Sequence, residues 1–223
     1  MRITAITPQQ RNPSRRNIFV DGSFAVGVSA ETLIRFALRT GDEIATDLLQ
    51  QIERSEELVS ARAVALRFLG VRPRTEKEIR DKLREKEFGD EEIQKTLDSL
   101  RAANLLNDAE FARMYIRDQL IKRPAGAISL KRKLLLLGVE KGVVDLTLKE
   151  ILGQSDEEER ALKLARDFVR KAQSMRSNEA EAKLLQRTTA FLARRGFSWD
   201  VIQTVRKNLF SGSTEERDDL LTE

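Results

Sequence analysis

A chain of 223 residues has room for one or two domains with cores of their own, so neither a metal nor a disulfide is needed to hold it together. It has no cysteine and no histidine, which removes disulfides, thiolate chemistry, the commonest metal ligand and the commonest general base, and sets an enzyme aside. Forty Lys and Arg against 36 Asp and Glu leave a net charge of +4, unevenly placed, as polyanion binding requires. No apolar run approaches the roughly 20 residues of a membrane span, and no apolar core follows Arg2 as in an export signal, so the expected address is the cytoplasm.

Residues 1–45 read as a small β module with a helix. Residues 3–6 suit a short strand, and two apolar runs, 17–20 and 23–28, flank Asp21-Gly22, a pair that favours the positive φ of a tight hairpin turn. The connection 8–16 carries Arg11, Arg15 and Arg16, read first as solvated loop residues and second as phosphate contacts. A helix is predicted over 29–38, with a break at Thr40-Gly41-Asp42. Ile44, Leu48, Leu49, Ile52, Val59, Ala63 and Leu66 then keep helical spacing as far as Gly70, a pattern that fits one long helix or two broken near Ser55.

From there one unit is written three times. Leu130, Leu134 and Leu137 share one face of a short helix that stops at Gly138, with Val139 placed to fold back onto Leu134. Ile79 and Leu83 are followed by Phe88, Ile93 and Leu97 just as Leu130 and Leu134 are followed by Val139, Val144 and Leu148. Leu192, Gly196, Phe197, Ile202 and Val205 make the third copy. In the first copy Glu87 stands where the others have glycine, which leaves the register there open to a shift of a few residues. Capping boxes are expected at Asn107-Asp108-Ala109-Glu110 and Ser155-Asp156-Glu157-Glu158, and second helices are expected to begin at Thr75-Glu76-Lys77-Glu78 and Asn178-Glu179-Ala180-Glu181. The predicted organisation is mainly α: three-helix repeats over 56–103, 104–153 and 155–210 in a tandem array, with a disordered acidic tail at 211–223.

Glu76 stands four residues before Arg80 and Glu78 four before Lys82, so those bases are read as paired on their own helix. Lys131, Arg132 and Lys133 find no acid at positions 127–129 or 135–137, and with Lys122 and Arg123 they make a basic face, either a partner contact or plain solvated surface. Arg194 and Arg195, and Arg72 and Arg74 around Pro73, complete the candidate contacts. Leu135 and Leu136 lie off the buried face and are expected first to pack on a neighbouring repeat and second to form an exposed partner-binding patch. Trp199 and Tyr115, each the sole residue of its type, support a base-stacking platform only weakly. No glycine-rich phosphate loop, dinucleotide fingerprint or calcium-loop spacing occurs, so no catalytic, metal or cofactor site is predicted.

The run Arg74-Thr75-Glu76-Lys77-Glu78-Ile79-Arg80-Asp81-Lys82-Leu83, then 104–112, then 134–139, then Phe191-Leu192-Ala193-Arg194-Arg195-Gly196-Phe197 resembles the RecX family of RecA regulators over about residues 58–210, and residues 17–27 resemble the N-terminal extension of its longer members. Two positions depart from the family pattern: Asn107 replaces the first of two aspartates, and Lys122-Arg123-Pro124-Ala125-Gly126 lacks a glycine-rich entry into the next helix. The resemblance implies an elongated, curved array of three-helix repeats in a bacterial cytoplasm. It also implies a monomer that lies on the RecA filament on single-stranded DNA, binds that DNA weakly on its own, and restrains the filament's ATPase, strand exchange and co-protease activities. The alternative is a sequence-independent DNA-binding helical protein with no filament partner.

Overall fold

The computed structural model describes residues 1–10, 12–152, 154–175 and 180–210; Arg11, the predicted start of a helix at 178–179, the side chains of Ser155 and Asp156, and the acidic tail lie outside that description. By its contacts the chain divides into two units, Met1–Leu106 and Asn107–Glu223.

In the first unit β1 (Ile3–Pro8), β2 (Arg15–Val20) and β3 (Ser23–Ser29) form an antiparallel meander in that order. Asp21 and Gly22, at φ 49° and 82°, make the tight turn expected of them. Alternation along the strands sends Ile3, Ile18, Val20, Val26 and Val28 into one core with Leu38, Ile44 and Ile52. α1 (Ala30–Arg35) is shorter than predicted: the Ser29 hydroxyl caps it, and Ala37 at φ 49° turns the chain away. α2 (Thr46–Leu69) is a single helix of 24 residues, with no break at Ser55. Its first half packs under the sheet through Ile52, and its second half packs on α3 (Glu76–Glu85) and α4 (Asp90–Ala102) through Ala61 and Ala65, against Ile79, Leu83, Ile93, Leu97 and Leu100.

Between the two halves of α2 lies Glu56, only 5% exposed. Its carboxylate accepts from the Ser29 amide at 2.8 Å and the Thr32 hydroxyl at 2.7 Å, and pairs with the Arg15 guanidinium at 2.7 Å. A buried carboxylate is tolerable only with such company. Arg15 and Arg16, read from sequence as loop residues, stand in β2; Arg15 serves Glu56, and Arg16 donates to the Pro13 carbonyl.

The second unit holds two triplets. α5 (Asp108–Lys122), α6 (Ala127–Leu136) and α7 (Lys141–Ile151) close on Phe111, Ile116, Leu130, Leu134, Val139, Val144 and Leu148. α8 (Gln154–Met175), α9 (Glu181–Arg195) and α10 (Trp199–Phe210) close on Ala161, Ala165, Leu192, Phe197, Val201, Ile202 and Val205.

The middle helix of every triplet ends in the same way. Val139 N–H donates to the Leu134 carbonyl at 3.1 Å and Gly138 N–H to Leu135 at 3.0 Å, with Gly138 at φ 90°. That pair of bonds is the glycine-closed stop expected there. In the third triplet Phe197 donates to Leu192 at 3.3 Å and Gly196 to Ala193 at 2.9 Å, with Gly196 at φ 79°. The first triplet repeats it with Phe88 to Leu83 at 3.2 Å and Glu87 to Arg84 at 2.9 Å. Here Glu87 itself takes the left-handed conformation at φ 62°, so the register needs no shift and the missing glycine is replaced by backbone strain.

Candidate interaction surface

α6 has no side-chain cap of its own. Its first amides are satisfied by the following triplet instead: Gly126 N–H donates to the Arg195 carbonyl at 3.0 Å, Ile128 N–H to the Gly196 carbonyl at 3.1 Å, and Ala127 N–H to the Glu157 carboxylate at 2.7 Å. Glu157, expected in a box at the start of α8, thus places its negative charge at the positive end of another helix. The approach demands two glycines: a Cβ on Gly126 would meet the Gly196 carbonyl oxygen, and one on Gly196 would meet Ser129. The Arg195 guanidinium completes the joint, donating to the Pro124 carbonyl at 3.2 Å while its carbon lies 5.2 Å from the Phe191 ring centre.

Held at that end, α6 buries Leu130 and Leu134 and turns the rest outward. Ile128, Leu135 and Leu136 are 57%, 40% and 66% exposed and, with Lys131 and Arg132, line one shallow apolar depression. Leu135 and Leu136 were expected beneath a neighbouring repeat; they are exposed instead, because the helix meets its own core through Leu130, Leu134 and Leu137 and the next triplet through its first turn.

The candidate cations do not all have the same circumstances. Lys131, expected to lack an acid, pairs with Asp145 of α7 at 2.5 Å, and Lys122 pairs with Asp118 one turn back at 2.7 Å. Arg123, Arg132, Lys133 and Arg194 are exposed, with no ion pair to another described residue. In the first unit Arg72 and Arg74 both close on Glu78, at 2.5 and 3.3 Å, and Arg74 lies 3.8 Å from the centre of the Phe68 ring. Glu78 belongs to the capping box with Thr75, so it faces back toward these arginines, whereas Lys82, which sequence spacing gave to it, reaches Glu85. Burial works to raise the Glu78 carboxyl, but Arg72, the Thr75 amide and Arg74 outweigh it and hold the group below its ordinary 4.5. Arg72, Arg74 and Arg195 are therefore engaged in the fold itself. Trp199 is exposed at the head of α10, and Tyr115 stacks on Phe111 at 6.1 Å rather than standing free.

Sequence reasoning overlooked a second cationic feature. Over α2, between α1 and α4, a cleft of about 350 Å³ lined by Arg35, Arg54, Lys95 and the acid Glu92 adjoins one of about 520 Å³ that adds Arg62 and the acid Glu31, and Lys95 is itself paired with Glu91 at 2.6 Å. Arg54 and Arg62 stand two turns apart on α2, a spacing that would have put them on one face; Arg35 arrives only through the tertiary fold. Among the described residues no group of three or more acids is arranged to hold a metal ion, and no helix is long and apolar enough to cross a membrane.

A small sheet followed by helical triplets defines a mainly helical protein of the repeat class. Comparison with known proteins specifies it further. Models of the RecX N-terminal domain, the first RecX three-helix domain and the third RecX three-helix domain match residues 1–45, 61–100 and 156–205. A regulatory protein RecX from Clostridium perfringens strain 13 is 32% identical over 209 residues, covering 93% of this chain and 96% of that one. Another, from Bacillus velezensis, is 34% identical over 203 residues, covering 90% and 74%. A crystal structure of a regulatory protein RecX superposes with a TM-score of 0.74 at 27% identity, over 92% of this chain and 98% of that one. The chain belongs to the RecX family of regulatory proteins.

Proposed function

We propose that the chain binds the RecA filament on single-stranded DNA and restrains its ATPase, strand exchange and co-protease activities, acting in the cytoplasm as a monomer and without a cofactor. The observation that carries this reading is the match to regulatory RecX proteins along nearly the whole chain. The physical chemistry is compatible with it. Several helical units joined in tandem can touch a repeating polymer at several points, and such contacts multiply into an avidity that none of them has singly. Arg123, Arg132, Lys133 and Arg194 are the contacts we favour, because engaging them breaks no ion pair among the described residues. Lys122 and Lys131 must exchange an exposed acid for the partner, a change of little cost.

The test is inhibition of RecA ATPase on single-stranded DNA by sub-stoichiometric protein, run beside a salt titration of binding to the bare DNA. Inhibition well below one molecule per RecA subunit, with weak and salt-sensitive binding to bare DNA, is the expected result. Tight binding to bare DNA with an unaffected filament would instead favour a plain DNA-binding protein. Reversing charge at Lys131, Arg132 and Lys133 together is expected to weaken inhibition about tenfold or more while leaving helicity unaltered, at roughly 1 kcal/mol or less per lost ionic contact.

A further inference from the structure

The outer face of α6 has a complement within the same chain. Ile128, Leu135 and Leu136 form an apolar depression edged by Lys131 and Arg132, with Lys133 beside it on the same helix. Residues 215–223 read Glu-Glu-Arg-Asp-Asp-Leu-Leu-Thr-Glu: five acids and one base around an adjacent pair of leucines. The one surface is apolar with a cationic edge, and the other segment is apolar with an anionic edge. We propose that Leu220 and Leu221 seat on Leu135, Leu136 and Ile128 of the same molecule, with Asp218 and Asp219 against Arg132 and Lys133, so that the acidic segment occupies the α6 face until a partner displaces it.

The chain is long enough for this. α6 and α10 set out from one place, since Gly126 and Gly196 are in contact and α10 begins three residues beyond Gly196. At about 1.5 Å per residue, Leu136 lies roughly 15 Å along α6 and Phe210 roughly 18 Å along α10. Were the helices at a right angle, those points would be about 25 Å apart, within the roughly 33 Å that the ten residues from Phe210 to Leu220 can span. Charge supplies direction to the encounter and the leucines supply its stability, because the apolar area they cover is otherwise wet. The docking itself does not depend on the RecA reading; only its regulatory consequence rests on that.

The absence of cysteine makes a clean test possible in the full chain. Nitroxides at Glu140→Cys, exposed just beyond the end of α6, and Thr222→Cys are expected to give, by double electron-electron resonance, a narrow distance peak below about 25 Å, a little more than two helix diameters. Leu136→Asp, Arg132→Glu and the pair Leu220→Asp with Leu221→Asp are each expected to abolish the peak, and salt at about 1 M to shrink it. All of these sites are exposed or lie beyond the cores, so circular dichroism is expected to match the parent; should Leu136→Asp lose helicity, Arg132→Glu carries the test alone. A broad distribution in the parent pair, or a peak indifferent to all the substitutions, overturns the proposal. A peak that vanishes on dilution with excess unlabelled chain means that the segment sits on a second copy, which also overturns it. The consequence for RecA is read separately: the Leu220→Asp with Leu221→Asp chain is expected to inhibit at a severalfold lower concentration. A peak that behaves as described without that change upholds the docking and tells against α6 as the RecA contact.

Discussion

Helices α3 and α6 hold the same post in their triplets and are closed by the same two hydrogen bonds, yet they meet solvent with opposite chemistry. On and around α3 the charges are consumed locally: Glu76 takes Arg80 and Arg101, Lys82 takes Glu85, Arg84 takes Asp90, and Glu78 takes Arg72 and Arg74. Such exposed pairs add little stability, but they leave a surface with no net appetite for a charged partner. α6 buries the same two rungs, Leu130 and Leu134 in place of Ile79 and Leu83, and then exposes three large apolar side chains among cations. The inner rungs and the stop carry the fold, and the outer face is free to differ between copies. Recognition in a repeat protein can therefore be assigned to one copy without cost to the architecture.

The comparison can be broken most directly at the inner rungs. Leu83→Ala and Leu134→Ala are each expected to cost about 3 kcal/mol, read as equal falls in the urea midpoint, and a loss at one site much smaller than at the other would mean that the two posts are not equivalent. Next come the caps, since α3 caps itself with Thr75 while α6 borrows Glu157. Thr75→Ala and Glu157→Ala are each expected to cost about 1 kcal/mol, but only the second should speed hydrogen exchange at the amides of Ala127 and Ile128. The stop sharpens the contrast in the other direction: Glu87→Gly is expected to stabilise the chain by up to about 1 kcal/mol, by relieving a left-handed glutamate.

The smallest effect is the acid response. Because the Glu78 carboxyl is held below its ordinary 4.5, the stability it contributes is present in full above the unfolded value and is lost as pH falls through the depressed one. Glu78→Gln is expected to flatten that part of the melting-temperature profile between about pH 3 and pH 5, whereas substitutions on α6 should leave it alone.

What could be read from sequence was what is local. The step from Leu83 to Phe88, from Leu134 to Val139 and from Leu192 to Phe197 is one helix rung and one stop, both written within six residues, and all three registers match the structure. The Asp21-Gly22 hairpin was legible for the same reason. The pairing of Lys131 with Asp145 joins two helices 14 residues apart and leaves no periodic trace, so those cations were read as less engaged than they are. Lys122 and Asp118, four residues apart on one helix, were within reach of the same rule that paired Glu76 with Arg80. Spacing pairs Glu78 forward with Lys82, and the signal missed is Thr75 three residues before it, which completes a capping box that turns the glutamate back. Whether Leu135 and Leu136 are covered depends on which face a neighbour occupies, and no local pattern states that.

The unbroken α2 has one further consequence. A single rod of 24 residues lies under the sheet at one end and forms the first wall of a triplet at the other, with the Glu56 carboxylate pinning strand and rod together midway. With no joint in that rod, a torque applied to the sheet has nowhere to relax before it reaches α3 and α4. Any ligand that gripped the amino-terminal strands would steer the first triplet as a crank steers its shaft.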